Sequence, residues 1–282
     1  TSKEYGTASI DSDAPVVAGE PNNFVIEYKA GTLAFGPGSA IYVVIPYGFT
    51  PPQINYPTAV GYISASVTNP DIDISVSNTD PQGRDRNEDT FGTKIYISIL
   101  SGTLRTEDLL VLRYGCGDRK SLFAEGAYVR YFTGRADFHI GVAVRENGTR
   151  RNDTYIRLKS SPFVTVCPAV TSGFTITIPS TSVPGSSIAA RVVTRDQFGN
   201  ATTNTGLTVG LGIDGHNTDY LDVNLVEGIA NVRVPPGVIQ DKNGSILHIR
   251  GRSLDQRFTA VSNPCVLNRH GQGPFFGDIH VM

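Results

Sequence analysis

A chain of 282 residues, with 24 Lys and Arg against 26 Asp and Glu, carries a formal net charge of −2. No basic stripe runs along it to neutralise phosphates, so nucleic acid is not an expected partner. No apolar run reaches the ~18 residues of a membrane-spanning helix.

Period-two alternation is the dominant pattern. In "NNFVIEYK", Phe24, Ile26 and Tyr28 fall on one face. "AGTLAFGPGSA" is a turn cluster, and the continuously apolar "SAIYVVIP" after it reads as a central strand. "DIDISVS" sets Ile72, Ile74 and Val76 opposite Asp71, Asp73 and Ser75. A polar stretch around residues 79–92 follows, without apolar periodicity, and predicts a long exposed hairpin connection. "KIYISIL" repeats the alternation with Ile95, Ile97 and Ile99, and "DLLVLRYG" reads as a second central strand. Strands with one apolar and one wet face argue for antiparallel sheets. Helix signals are nearly absent; "SLFAEGAYVR" is interrupted at Gly126.

A boundary falls near "VTVCPAV", where one strand ends at Pro168 and a new alternation starts with Phe174, Ile176 and Ile178. "SIAARVVTRD" and "GLTVGLGI" are strands separated by the turn "QFGN". "DYLDVNLVEGIANVRV" reads as a hairpin around Glu227-Gly228, and "SILHIRG" and "RFTAVSN" complete the set. Seven short strands match the count of an immunoglobulin-like sandwich, although the chain has no Trp for the Cys-Trp-Cys pattern of antibody domains. The expected fold is therefore all-β. Two tandem antiparallel β-sandwich domains span residues 1–167 and 168–266, the second immunoglobulin-like, and residues 267–282 form a linker. A first residue of Thr rather than Met is expected to follow a removed or omitted N-terminal piece, and no secretory signal is recognisable.

Three cysteines, Cys116, Cys167 and Cys265, exclude a dense disulfide framework. A Cys116–Cys167 bridge and small buried thiols both remain open. Sequons at Asn147, Asn152, Asn200 and Asn243 lie in turn-rich sequence and mark exposed loops.

Five histidines are candidates for chemistry. His139 and His248 alternate with apolar residues and read as strand residues, hydrogen-bonded or on a wet face. His216 lies in a loop with Asp214 and Asp219, a carboxylate–imidazole grouping that spacing alone does not make into a metal site. No serine elbow, phosphate-binding loop or His-Glu-x-x-His helix occurs. The carboxylates of the 79–92 stretch lack the ligand order of a calcium loop. In "GDIHVM", an extended backbone would set Asp278, His280 and Met282 on one face.

The segment "SNPCVLNRHGQGPFFGDIHVM" resembles a junction in a family of large bacterial proteins, in which an aromatic-Gly-Asp-x-His segment opens a metal-dependent hydrolase domain of the PHP (polymerase and histidinol phosphatase) type. "FVIEYKAGTLAFGPGSAIYVVIPYGFTPPQ" with "GYISASVTNPDIDISVS" is similar to that family's first module, and "RVVTRDQFGN" to its second. The resemblance covers essentially the whole chain. It implies that His280 is a metal ligand and Asp278 the carboxylate beside it. Met282 stands where another ligand would be, and a thioether suits hard or borderline cations poorly. The remaining ligands would lie beyond residue 282. The resemblance thus makes this chain the non-catalytic N-terminal accessory or scaffold region of a hydrolase. It would be inactive alone and need a divalent metal only in the full-length protein. The partner would be the catalytic domain, docked on Phe275 and Phe276.

An alternative expectation is a tandem sandwich for carbohydrate binding or cell-surface adhesion. Tyr128 and Tyr131 in "AYVRYFTG" would then stack on sugar rings, against the plainer role of cross-strand packing. Catalysis by this chain alone would need Asp214, His216 and Asp219 joined by partners from the first domain. The compartment, bacterial cytoplasm or outside it, is left open.

Overall fold

The computed structural model describes residues 2–12, 14–81, 83, 92–115, 126–146, 149–150, 154–203, 206–216, 219–235 and 244–269. The described residues are almost entirely strand and turn, with one helical turn at Ser2–Tyr5. The chain divides into two compact units, Thr1–Cys167 and Pro168–Met282.

Unit 1 is built on two antiparallel sheets. The first has the order Thr7–Ser12, Phe24–Lys29, Leu109–Gly115, Tyr62–Val67. The second has the order Ile156–Arg157, Ile140–Ala143, Ala40–Pro46, Gly92–Ser101, Asp73–Ser77. The expected alternation holds where a strand has one wet face. Phe24, Ile26 and Tyr28 are buried while Glu27 and Lys29 are exposed. Ala40–Pro46 is buried at every position, as its continuous apolar sequence requires of a central strand.

Two strands depart from the expected pattern. In Gly92–Ser101 the face carrying Lys94, Tyr96 and Ser98 is buried as well as the isoleucine face. The cause is an aromatic cluster on the outside of the sheet. Tyr155 sits 5.0 Å from the Tyr42 ring and 6.0 Å from the Tyr96 ring, and the Lys94 ammonium lies over Tyr42 at 5.1 Å. Such contacts let a cation and three phenol rings share a covered surface. In Asp73–Ser77, Ile74 and Val76 are only half-buried, because this strand is a sheet edge with a register shift at Asp73/Ile74.

Unit 2 pairs a three-stranded sheet, in the order Thr171–Thr177, Ile188–Asp196, Ile229–Val234, with a four-stranded one. The order of the latter is Asp219–Asn224, Thr208–Ile213, Ile249–Ser253, Thr259–Val261. The two sheets face each other closely. A Cβ on Gly251 would lie 2.7 Å from Ile176 and 2.8 Å from Phe174. Their inner residues, among them Val192, Val209, Leu211 and Ile249, form one core. Leu267, expected in the linker, is fully buried in that core and ends the strand Cys265–Leu267.

The sequence reading of residues 219–234 as a hairpin is corrected. Val226 and Ile229 exchange both backbone hydrogen bonds across Glu227 and Gly228, which both have positive φ. The tight turn is therefore present. The strands it joins then part: Asp219–Asn224 pairs with Thr208–Ile213, and Ile229–Val234 with Ile188–Asp196. The turn carries the chain from one sheet to the other, an outcome that local turn chemistry does not distinguish from a hairpin.

Candidate functional site

A gathering of polar and aromatic groups lies on unit 1, and strand periodicity builds it. The strand Gly134–Asp137 pairs antiparallel with Phe163–Val166. Ala136 and Phe138 point into the core, so Arg135, Asp137 and His139 share the opposite face. The neighbouring segment repeats the pattern. Leu158 is buried, which sets Arg157, Lys159 and Ser161 outward. The amide of Phe138 donates to the Pro162 carbonyl and that of Leu158 to the Ile140 carbonyl, both at 2.8 Å. His139 Nδ1 and Ser161 Oγ meet at 3.0 Å. Two rows of polar side chains thus run side by side.

Between and beside these rows lie two adjoining hollows. The larger, about 510 Å3, is bordered by Pro46, Tyr47, Arg130 and Phe132. The smaller, about 400 Å3, reaches to Lys159 and Ser161. Arg135, Asp137, His139 and Arg157 line both, so the two form one cleft. Each volume is within the range of small-ligand sites. Tyr47 and Phe132 stand at the rim, 70% and 47% exposed.

The rim is held by Arg130. Its guanidinium donates to the carbonyls of Phe132 at 3.1 Å, Gly134 at 3.1 Å and Arg135 at 2.8 Å, and lies 4.1 Å from the Phe132 ring centre. Desolvation lowers the Arg130 pKa from its ordinary value, while the charge of Asp137 works in the opposite direction. Gly48 has φ +85° and faces Arg130 so closely that a Cβ would lie 2.9 Å from the arginine Cβ. Glycine at this position lets the 46–48 turn lie against the 130–132 segment. On the floor, Arg135 donates through Nε to Asp137 Oδ1 at 2.9 Å and approaches it through Nη2 at 2.7 Å, while stacking on Phe163 at 3.9 Å. The cleft offers a ring fixed by Arg130, hydrogen-bond donors and one paired carboxylate, which suits recognition.

The sequence-derived candidates lie elsewhere. His248 is half-buried between the strands Ile246–Leu247 and Ile249–Ser253, with Nδ1 3.0 Å from the Ser262 carbonyl oxygen. Asp214 and His216 are exposed. Asp219 is paired with Arg250 at 2.7 Å. Tyr128 and Tyr131 are exposed, 40% and 62%, but neither lines the cleft. Cys167 is an exposed free thiol, and Cys265 is buried, which raises its pKa. The Asn200 amide donates to the Asp196 carboxylate at 2.9 Å. Asp278, His280, Met282, Phe275, Phe276, His270 and Cys116 lie outside the described residues, as do Asn147, Asn152, Asn243 and most of the 79–92 stretch. Among the described residues, no three His, Cys, Asp or Glu gather to hold a metal, and no helix is long and apolar enough to cross a membrane.

Sequence reasoning passed over Tyr47, Phe132, Arg135, Asp137, Arg157 and Lys159. A usable signal was present in the alternation of "GRADFHIG" and "IRLKSS", where every second residue is polar. A further hollow of about 490 Å3 on unit 2 lies over the outer face of the three-stranded sheet, lined by Thr177, Ala189, Arg191, Asn231 and Arg233 among others, with no aromatic ring.

No family model and no curated protein matches the chain. Among solved structures, an apo β-glucuronidase of Bacteroides uniformis aligns at 11% identity and a TM-score of 0.25, over 90% of this chain and 24% of its own. AvmM, described as catalysing macrocyclization in alchivemycin A biosynthesis, aligns at 12% and 0.27 over 59% of this chain and 92% of its own. The ligand-binding domain of human OSCAR aligns at 7% and 0.21, over 93% and 97%. This chain spans about a quarter of the glucuronidase's length. Likeness at this level assigns neither family nor function.

Proposed function

We propose that this chain is a non-catalytic accessory region that binds carbohydrate through the unit 1 cleft. The observation behind this is the pairing of two exposed rings, Tyr47 and Phe132, with a polar floor of Arg135, Asp137, His139 and Arg157. Sugar rings present apolar C–H faces and polar edges, and such a surface meets both at once. The Arg130 clamp fixes the segment that carries Phe132, so little ordering entropy is lost on binding. A glycan array probed with the protein and with Phe132→Ala tests the assignment: retained glycans should be lost or weakened in the variant. An array with no retained glycan contradicts it.

A second part of this reading concerns the terminal "FFGDIH" segment and rests on its resemblance to the entry of a PHP-type hydrolase domain. In a longer protein, Phe275 and Phe276 would dock that domain, and His280, with Asp278 beside it, would serve its divalent metal. The two β units would then be the scaffold, the second immunoglobulin-like, a view supported by its facing three- and four-stranded antiparallel sheets. Metal-dependent phosphoesterase or amidohydrolase activity in a longer protein, lost in His280→Ala, is the expected result. A longer protein inactive with every divalent metal tried counts against it.

A further inference from the structure

We infer that the outer face of the three-stranded sheet of unit 2 binds phosphate, with Arg191 and Arg233 holding the phosphate group of a small ligand over Ala189. The site is independent of the cleft on unit 1 and of its assignment to carbohydrate.

Strand register builds the site. Ile188, Ala190 and Val192 point into the core, so Ala189 and Arg191 face outward. On the next strand Ala230 and Val234 point inward, so Asn231 and Arg233 face outward. Ala189 lies opposite Arg233, and Arg191 lies opposite Asn231 on one side and Thr177 on the other. Arg191 and Arg233 are therefore diagonal neighbours, a relation that sets their positions about 7–8 Å apart. The methyl group of Ala189, next to both, leaves open space between them. These residues line the hollow of about 490 Å3. One guanidinium from each of two strands thus reaches the same space above Ala189.

Charge names the ligand. The only carboxylate in the three strands is Asp196, buried and bound to the Ala169, Phe198 and Asn200 amides. No acidic residue lines the hollow. Among the described residues, the Arg191 side chain has no hydrogen bond or ion pair, and that of Arg233 has only Ser187 Oγ, at 3.4 Å. Arg195, the third arginine of the face, is instead held by the Gly199 carbonyl oxygen at 3.1 Å and Thr175 Oγ1 at 3.3 Å. Two like charges kept adjacent without a counter-charge destabilise a sheet, and an anion between them removes that cost. Two guanidinium forks, the Asn231 amide and the Thr177 hydroxyl also offer more donors than the roughly four acceptor sites of a carboxylate can use. A phosphate monoester, with three strong acceptor oxygens and about two negative charges, matches the set better. Two arginines do not track a nucleic-acid backbone, so the ligand is a small molecule. Pro179 and Val232, at the border of the hollow, give its uncharged part an apolar flank.

The test is calorimetric titration of the whole chain with inorganic phosphate, phenyl phosphate and acetate, at about pH 7.5, where a monoester is mainly the dianion. Amide chemical-shift mapping locates the binding. Both phosphates should bind saturably with Kd ~1 mM or below, and acetate about tenfold more weakly. Shifts should concentrate at residues 177–179, 189–191 and 231–233. Arg191→Ala alters an exposed side chain, and near-ultraviolet circular dichroism checks its fold. It should weaken phosphate about tenfold, and Arg191→Lys should recover part of the loss, because an ammonium lacks the fork. Arg252→Ala, at an exposed arginine of the four-stranded sheet, should bind as the unaltered protein does. Tighter binding of phenyl phosphate than of phosphate supports the site and makes its ligand a phosphorylated molecule, while equal affinities support it and make the ligand the free ion. No saturable binding at concentrations far above the expected Kd overturns the inference. So do acetate binding as tight as phosphate, shifts confined to other surfaces, undiminished binding by a folded Arg191→Ala variant, and an equal loss in Arg252→Ala.

Discussion

His139 Nδ1 lies 3.0 Å from Ser161 Oγ and joins the two outward rows of the unit 1 cleft. The hydroxyl and the imidazole come from segments otherwise tied by backbone bonds at Phe138–Pro162 and Ile140–Leu158. Ser161→Ala removes the side-chain tie and keeps the ladder. It should cost ~0.5–1.5 kcal/mol, read as a lower urea midpoint with unchanged slope. A loss beyond that range would mean that the tie also organises the strands.

Arg130→Ala should be more damaging. It leaves the carbonyls of Phe132, Gly134 and Arg135 without the guanidinium that serves them and uncovers the Phe132 ring. A loss of ~2–4 kcal/mol is expected, with faster proteolysis in the 130–135 segment. Arg130→Lys should recover only part of it, because an ammonium lacks the planar fork that reaches three carbonyls. Full recovery by lysine would contradict the role assigned to the fork.

In unit 2, Asp196 binds the Ala169 amide through Oδ2 at 2.9 Å, and the Phe198 and Asn200 amides through Oδ1 at 2.9 Å each. Burial alone would raise its pKa. Hydrogen bonds from the Asn200 side chain and from the Ala169, Asn200 and Phe198 amides outweigh burial and hold the pKa below the ordinary 3.8. A depressed folded-state value gives stability that is present above the ordinary carboxyl range and lost as pH falls through the folded value. Asp196→Asn should cost ~1–3 kcal/mol at neutral pH, since an amide donor would face donors that now meet a carboxylate. It should also flatten the acid limb of the stability curve. An unchanged acid limb would show that other carboxylates set it.

Two glycines with positive φ give a contrast. At Gly228 a Cβ would lie 2.0 Å from the Thr202 carbonyl oxygen, whereas at Gly185 nothing lies within 4 Å. Gly185→Ala should cost only the backbone term, about 1 kcal/mol. Gly228→Ala adds a clash with main chain and should cost at least ~2 kcal/mol more. Thermal unfolding of the pair measures the difference, and equal midpoints would refute the close approach.

Strand identity was legible because burial on one face writes itself into the sequence at period two, as in Phe24, Ile26 and Tyr28. It was less legible where the second face is covered by distant residues. Nothing local to "KIYISIL" reports that Tyr155 will roof Tyr96. The turn at Glu227-Gly228 was legible as a turn, but which strands it would pair was not, since pairing is decided by the cores of two sheets. The cleft was hidden for a related reason. Arg135, Asp137 and His139 are visible as one face of a strand. Their meeting with Arg157, Lys159 and Ser161 depends on a register between segments some twenty residues apart. Tyr47 and Phe132 join only because Gly48 admits Arg130.

The most direct test of the central claim is backbone amide chemical-shift mapping of the intact chain titrated with an oligosaccharide. With an oligosaccharide retained on the array, the account predicts saturable shifts concentrated at residues 44–48 and 130–139, with unit 2 unmoved. Shifts confined to other surfaces, or none at saturating ligand, would contradict it.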